Sequence, residues 1–180
     1  MPRHFLFLLS SARRGGNTET LARRAAAALP ARVGQDWRDL NSPGLPAFRD
    51  RRHGDHYDPP EPAAQALLTA TEVATDLVFV CPLYWYGLPA PAKLYLDHWS
   101  HWMRLGTGFR EGMAGKRIWL VMTHSGSRPE EIAPAVDCLR HSASYMKAAF
   151  MGTLLGFANA PGEILADAAA LAAADRFFTA

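Results

Sequence analysis

His4-Phe5-Leu6-Phe7-Leu8-Leu9-Ser10-Ser11-Ala12-Arg13-Arg14-Gly15-Gly16-Asn17-Thr18-Glu19-Thr20-Leu21-Ala22 carries, near the start of the chain, an apolar run that breaks into hydroxyls, arginines and glycines and then resumes as a helical pattern. A run without alternation is what a strand covered on both faces of a parallel sheet needs. From Asn17 the apolar positions Leu21, Ala25 and Ala28-Leu29 recur at helical spacing, Asn17 or Thr18 can cap the start, and Pro30 closes the run. Strand, tight loop and helix make one βα unit, which predicts an α/β fold.

The same unit repeats outward from there. A weaker strand spans about Val33 to Leu40, and a Pro-, Gly-, Arg-, His- and Asp-rich stretch, Asn41 to Pro62, reads as a long loop of the kind that serves as lid, binding loop or interface arm. A helix follows from Glu61 to about Ala74, a buried strand from Leu77 to Cys81, and a helix from Pro89 or Pro91 to Met103 with proline in its first turn. Lys116 to Met122 is a strand, Pro129 to Lys147 a helix with Ile132, Val136, Leu139 and Met146 on one face, Phe150 to Phe157 a strand, and Glu163 to Phe178 a last helix. Five βα units imply right-handed crossovers and one domain over residues 1–180, a parallel sheet with helices on both sides. Such sheets bind ligands at the carboxyl ends of their strands.

Composition excludes several classes. Hydrophobic residues are 49% and charged ones 20% of the 180, and no apolar run reaches the roughly 18 residues of a membrane span. The opening apolar run is too short, and too soon followed by Arg13 and Arg14, for a signal peptide. Two cysteines, Cys81 and Cys138, form no CxxC pair or framework, so a cytoplasmic setting is expected. A net charge of +2 with scattered Lys and Arg gives no nucleic-acid footprint. A weakly basic surface suits an enzyme that attracts phosphorylated dinucleotides better than a docking electron carrier.

The loop after the first strand has the chemistry of a phosphate site. N–H groups at a helix start and the positive end of its dipole hold anions. Ser10, Ser11, Asn17 and Thr18 add side-chain donors, Gly15 and Gly16 let the backbone curl closely, and Arg13 or Arg14 brings charge. The same residues also suit an ordinary βα turn with a capped helix. A Walker A loop would need Gly-Lys-Ser/Thr and a dinucleotide fingerprint G-x-G-x-x-G, and neither is present. A phosphatase loop would need a cysteine nucleophile, and a receiver domain acids at the end of the first strand, where Ser10 and Ser11 stand. What survives is a phosphate monoester such as that of FMN.

Two further loops follow strand ends. In Pro82-Leu83-Tyr84-Trp85-Tyr86-Gly87, three adjacent aromatics cannot all face the core, so at least one is presented at the site, where it suits a planar isoalloxazine. Thr123-His124-Ser125-Gly126 ends the fourth strand with backbone donors that can approach a flavin edge, and His124 is the candidate for stabilising negative charge on a reduced ring. Lys93 and Asp97 read as an i, i+4 pair. His98 with His101, and His53, Asp55, His56 and Asp58, read as solvated side chains and not as metal ligands. Trp99 and Trp102 are expected in the core or at a subunit contact, and Cys81 is expected to be inert.

The pattern S-x-R-x-x-G-N-T-x-x-L-A, completed by Ser11, Arg13, Gly16, Asn17, Thr18, Leu21 and Ala22, resembles the flavin phosphate loop of NADPH-dependent FMN reductases. The stretch Pro82 to Asp97 is similar to the flavin-contacting loop and helix of NAD(P)H quinone reductases, and the likeness extends through Gly108-Phe109 and Gly115-Lys116 to Gly126. Together they cover most of residues 4 to 126, with Ser125 standing where relatives often carry glycine. The resemblance implies a flavodoxin-like three-layer sandwich with strand order 2-1-3-4-5, and a cofactor that is FMN, with FAD as the alternative. It implies a ping-pong reductase taking hydride from NAD(P)H and passing electrons to a quinone, flavin or azo compound. It also implies a homodimer whose contact involves Trp99, Trp102 or the 41–60 loop. The rival reading is a flavin-binding carrier or regulatory subunit without NAD(P)H turnover.

Overall fold

Alternation of buried side chains along each strand decides how the layers form, because neighbours on a strand face opposite sides of the sheet. The computed structural model describes residues 2–51, 53–54, 57–126 and 128–179. Its strands are β1 (His4–Leu9), β2 (Gly34–Asp39), β3 (Asp76–Val80), β4 (Arg117–His124) and β5 (Ala149–Phe157), and its helices are α1 (Asn17–Ala27), α2 (Pro62–Val73), α3 (Ala90–Trp102), α4 (Phe109–Met113), α5 (Pro129–Tyr145) and α6 (Ala168–Ala174). The strands are parallel and ordered β2-β1-β3-β4-β5, as expected for a flavodoxin-like sandwich.

Leu6, Leu8, Leu77, Phe79, Leu120 and Met122 face one layer, packing with Leu67 and Leu68 of α2, Tyr95, Trp99 and Trp102 of α3, and Leu139 of α5. Phe5, Phe7, Val78, Val80, Trp119 and Val121 face the other, against Leu21, Ala22 and Ala25 of α1, Ala170 and Ala174 of α6, and Phe178. Both faces are covered, which is why β1, β3 and β4 read as unbroken apolar runs. Gly156 is where β5 meets that second layer most closely: a Cβ there would lie 2.4 Å from Ile164 Cδ1 and 3.0 Å from Leu21 Cδ2.

At the amino ends of the strands sits a buried carboxylate. Asp76 is fully enclosed and accepts from Arg3 (2.8 Å), Arg117 (2.8 and 3.0 Å), Trp119 Nε1 (3.0 Å) and the Thr75 hydroxyl (2.7 Å). Those donors tie β1, β3 and β4 together at the edge opposite the candidate loops.

One expectation is corrected and one element is new. The last helix, read as continuous from Glu163 to Phe178, is a 3-10 turn (Glu163–Ala166), then α6, then a 3-10 turn (Phe177–Thr179). The break is made by Asp167, whose non-helical backbone lets one oxygen accept from Ala170 N (2.9 Å) and the other from Phe157 N (2.8 Å), capping α6 and anchoring it to β5. The short helix α4 is additional, and follows a left-handed Gly108. Trp99 and Trp102 are buried against Tyr95 and Phe109, the core position that was the first of the two expected for them. Lys93 and Asp97 form the expected pair at 2.5 Å. Among the described residues no helix is long and apolar enough to cross a membrane.

Candidate functional site at the carboxyl edge of the sheet

The loops after β1, β3 and β4 converge on one open cleft of about 640 Å³, mouth included. Its lining takes Ser11, Arg13, Gly16, Asn17 and Thr18 from the first loop, Pro82, Leu83 and Tyr84 from the second, and Thr123, His124 and Ser125 from the third. Two cross-links hold these loops in register. Leu83 N donates to Thr123 O (2.9 Å), and the buried hydroxyls of Thr18 and Thr123 meet at 2.5 Å.

What the first loop offers an anion is mainly backbone. Gly16 is the N-cap of α1 and brings no side chain to satisfy the N–H groups of the first turn, those of Asn17 and Thr18 among them, which have no partner within a helix. Gly15 stands just before it at φ 61°, a left-handed backbone that favours glycine, and its N–H donates to Glu19 Oε2 (2.8 Å). Arg14 pairs with Asp39 at 3.3 Å, whereas the exposed Arg13 guanidinium forms no ion pair among the described residues.

Two side chains expected to donate into the cleft are turned elsewhere. Ser10 is buried, its hydroxyl 3.1 Å from both Val80 O and Cys81 Sγ. The Asn17 amide bridges away from the cleft, donating to Ala160 O (2.8 Å) and accepting from Gly162 N (2.9 Å). It fastens the segment after β5 to the start of α1, and Glu163 completes the clamp by accepting from Asn159 N (2.6 Å) and Ala160 N (2.8 Å). Ala158 and Asn159 thereby form a fourth wall of the cleft that sequence reading missed. The parallel-sheet pattern was the available signal, since the segment after β5 leaves the same edge as the other three loops.

Tyr84 and Gly87 exchange backbone hydrogen bonds (3.3 and 3.0 Å) around Trp85 and Tyr86, at φ 48° and 62°. This is a two-residue turn of the kind that prefers Asn-Gly, here built from two bulky aromatics. Trp85 is 95% exposed and Tyr86 53%, and neither they nor Gly87 and Gly126 line the cleft. Tyr84 is the aromatic that does. A left-handed backbone at a bulky residue costs about 1–3 kcal/mol. The double variant Trp85→Asn/Tyr86→Gly is therefore expected to be more stable by about 2 kcal/mol, raising the melting temperature by roughly 4–8 °C. A melting temperature at or below that of the parent would show that the turn is unstrained.

His124 is half-buried, with Nδ1 2.9 Å from Gly126 O and its ring edge-on to Phe157. A carbonyl only accepts, so Nδ1 carries a proton and Nε2 is the nitrogen left to act. Cys81, just past β3, has its thiol pushed up to about 12 by burial, which the Ser10 hydroxyl opposes only in part, and it is inert at neutral pH. His98 and His101 do not converge: His98 Nε2 bonds Pro46 O (2.9 Å) and His101 Nε2 bonds Asp58 O (3.0 Å). Asp55 and His56 lie outside the described residues.

The family model for the flavodoxin-like fold matches residues 3–177. A Bacillus subtilis protein assigned as an NAD(P)H-dependent FMN-containing oxidoreductase is 28% identical over 167 residues, 91% of this chain and 90% of that one. An FMN-dependent NADH:quinone oxidoreductase of Alkalilimnicola ehrlichii is 32% identical over 166 residues, 82% of this chain and 80% of its own length. The solved Trp repressor binding protein of Bacillus subtilis superposes with a TM-score of 0.76 at 24% identity, covering 97% of each chain, a likeness of fold.

Proposed function

Because this chain belongs to the family of the flavodoxin-like fold, we propose that it is an NAD(P)H-dependent oxidoreductase that holds FMN in the cleft and delivers electrons to a small acceptor such as a quinone, a free flavin or an azo compound. The observation that carries the reading is the meeting of an anion-binding helix start, an aromatic turn and a donor-bearing third loop in one cleft. The names of the two relatives point the same way. FMN supplies the two-electron chemistry that no side chain here provides.

The chain's own residues bind and orient. The N–H groups of Gly16, Asn17 and Thr18 and the charge of Arg13 suit a phosphate dianion, with Ser11 beside them. Tyr84 with the backbone of Pro82 and Leu83 suits a planar ring, and the backbone of Thr123 and Ser125 its polar edge. His124 stabilises developing negative charge only in the doubly protonated form, because its Nδ1 proton is already committed to Gly126 O. Ser10 acts from below by fixing the loop to β3, and Asn17 by fixing the fourth wall. One open side serves NAD(P)H and acceptor in turn, which is a ping-pong order. The exposed Trp85 and Tyr86 beside the cleft support a homodimer formed over this face, and the two unpaired cysteines support a cytoplasmic setting.

The purified protein is expected to quench FMN fluorescence on titration and to oxidise NADH or NADPH when 1,4-benzoquinone is present. Unquenched FMN would remove the cofactor from the reading. Quenching without NAD(P)H oxidation would leave a flavin-binding carrier. Mass analysis of flavin released from the purified protein separates FMN from FAD.

A further inference from the structure

The segment after β5 is pinned on both sides of a single residue. Ala158 N donates to His124 O (2.9 Å) at the end of β4, and Ala160 O accepts from the Asn17 amide (2.8 Å) at the start of α1. Asn159 is the residue between these two anchors, so it bridges from the third loop to the first turn of α1. Its own N–H is taken by the Glu163 carboxylate (2.6 Å), which also holds Ala160 N (2.8 Å). The backbone at Asn159 is therefore fixed before any ligand arrives.

The side chain is left free. Asn159 is exposed and lines the cleft, and its amide has no hydrogen-bond partner among the described residues, whereas the Asn17 amide is used at both its oxygen and its nitrogen. A polar group placed by a fixed backbone loses little freedom when it meets a ligand. The neighbouring lining says which part of the ligand that is. Among the described residues no Asp or Glu lines the cleft, and the end that Asn159 shares with α1 presents donors, the first-turn N–H groups and the Arg13 guanidinium. An amide brings two further N–H donors to that end. We propose that Asn159 is a further cofactor-binding residue, whose Nδ2 donates to a phosphate oxygen of FMN and so favours the phosphorylated flavin over riboflavin. This rests on the reading that the cleft holds FMN.

The test titrates FMN and riboflavin separately into the flavin-free protein, with fluorescence for affinity and ¹H–¹⁵N spectra for the side-chain amides. The Asn159 amide signals, identified by their loss in Asn159→Ala, are expected to move with FMN and to stay in place with riboflavin. Asn159→Ala is expected to raise the Kd for FMN about tenfold, the loss of one hydrogen bond to a charged group. Asn159→Asp should raise it further, because it removes the donors and sets a like charge beside the phosphate. Riboflavin affinity and melting temperature are expected to be unchanged in both variants. An equal loss for the two flavins would overturn the proposal by placing Asn159 on the ribityl chain or the ring. FMN affinity unchanged in both variants, or Asn159 signals unmoved by FMN, would overturn it by leaving the amide to solvent. Either result, obtained with a parent protein that binds FMN, removes this assignment alone. A parent that leaves FMN unquenched removes the cofactor reading itself, and this assignment with it.

Discussion

Gly16→Asp is expected to raise the Kd for FMN by about 100-fold while leaving the fold at least as stable as before. Gly16 is the N-cap of α1, with an extended backbone (φ −74°, ψ 176°) that any residue adopts, and a Cβ there would meet nothing nearer than Arg13 O at 3.4 Å. Aspartate is among the best N-caps, and replacing glycine there gains a few tenths of a kcal/mol. The same carboxylate occupies the first-turn N–H groups and adds negative charge where a phosphate dianion is to sit. Losing two charge-assisted hydrogen bonds of about 1.5 kcal/mol each corresponds to roughly two orders of magnitude in affinity. Riboflavin has no phosphate, so its affinity is expected to change little, and Gly16→Asn should fall between parent and Gly16→Asp for FMN. FMN affinity that survives Gly16→Asp, measured by fluorescence titration, would move the phosphate away from α1.

Asp76→Ala is expected to destabilise the protein by about 3 kcal/mol, read as a lower urea midpoint, because it leaves Arg3, Arg117 and Trp119 Nε1 without their shared acceptor. Burial by itself would raise the Asp76 carboxyl, but hydrogen bonds from Arg3, Arg117, Thr75 and Trp119 outweigh it and hold the group at about 2, against 3.8 ordinarily. A depressed carboxyl stabilises the fold fully above its unfolded value and loses that contribution as pH falls through its folded one. The parent should therefore lose roughly 2 kcal/mol between about pH 4 and pH 2 from this group. Asp76→Ala should lack that component of the acid transition. Identical acid profiles for parent and variant would assign acid unfolding to other groups.

Most of the fold is legible in the sequence because parallel strands covered on both faces leave unbroken apolar runs. His4 to Leu9 coincides with β1, and the turn into α1 falls at Asn17 as its residues suggest. Less was legible where side chains choose between partners. Ser10 has the composition of an anion ligand but is pulled inward by Val80 O, and Asn17 caps nothing because Ala160 and Gly162, about 145 residues later, claim its amide. The break at Asp167 was hidden in an alanine-rich stretch with uniform helical propensity, since only the distant Phe157 N–H reveals why the aspartate is needed there. The stretch Asn41 to Pro62 reads as a loop, but the path of its described residues across α3 depends on the carbonyls of Pro46 and Asp58 meeting His98 and His101, which no periodicity encodes.

The Arg3, Asp76 and Arg117 cluster lies at the amino edge of the sheet, and the cleft at the carboxyl edge, with β3 between them. Five residues of strand separate the two by roughly 17 Å. Mutational drift in the cleft loops therefore does not trade directly against the clasp that keeps the strands in order. Residues 82–87 and 123–126 can therefore be rewritten without touching the donors that enclose Asp76.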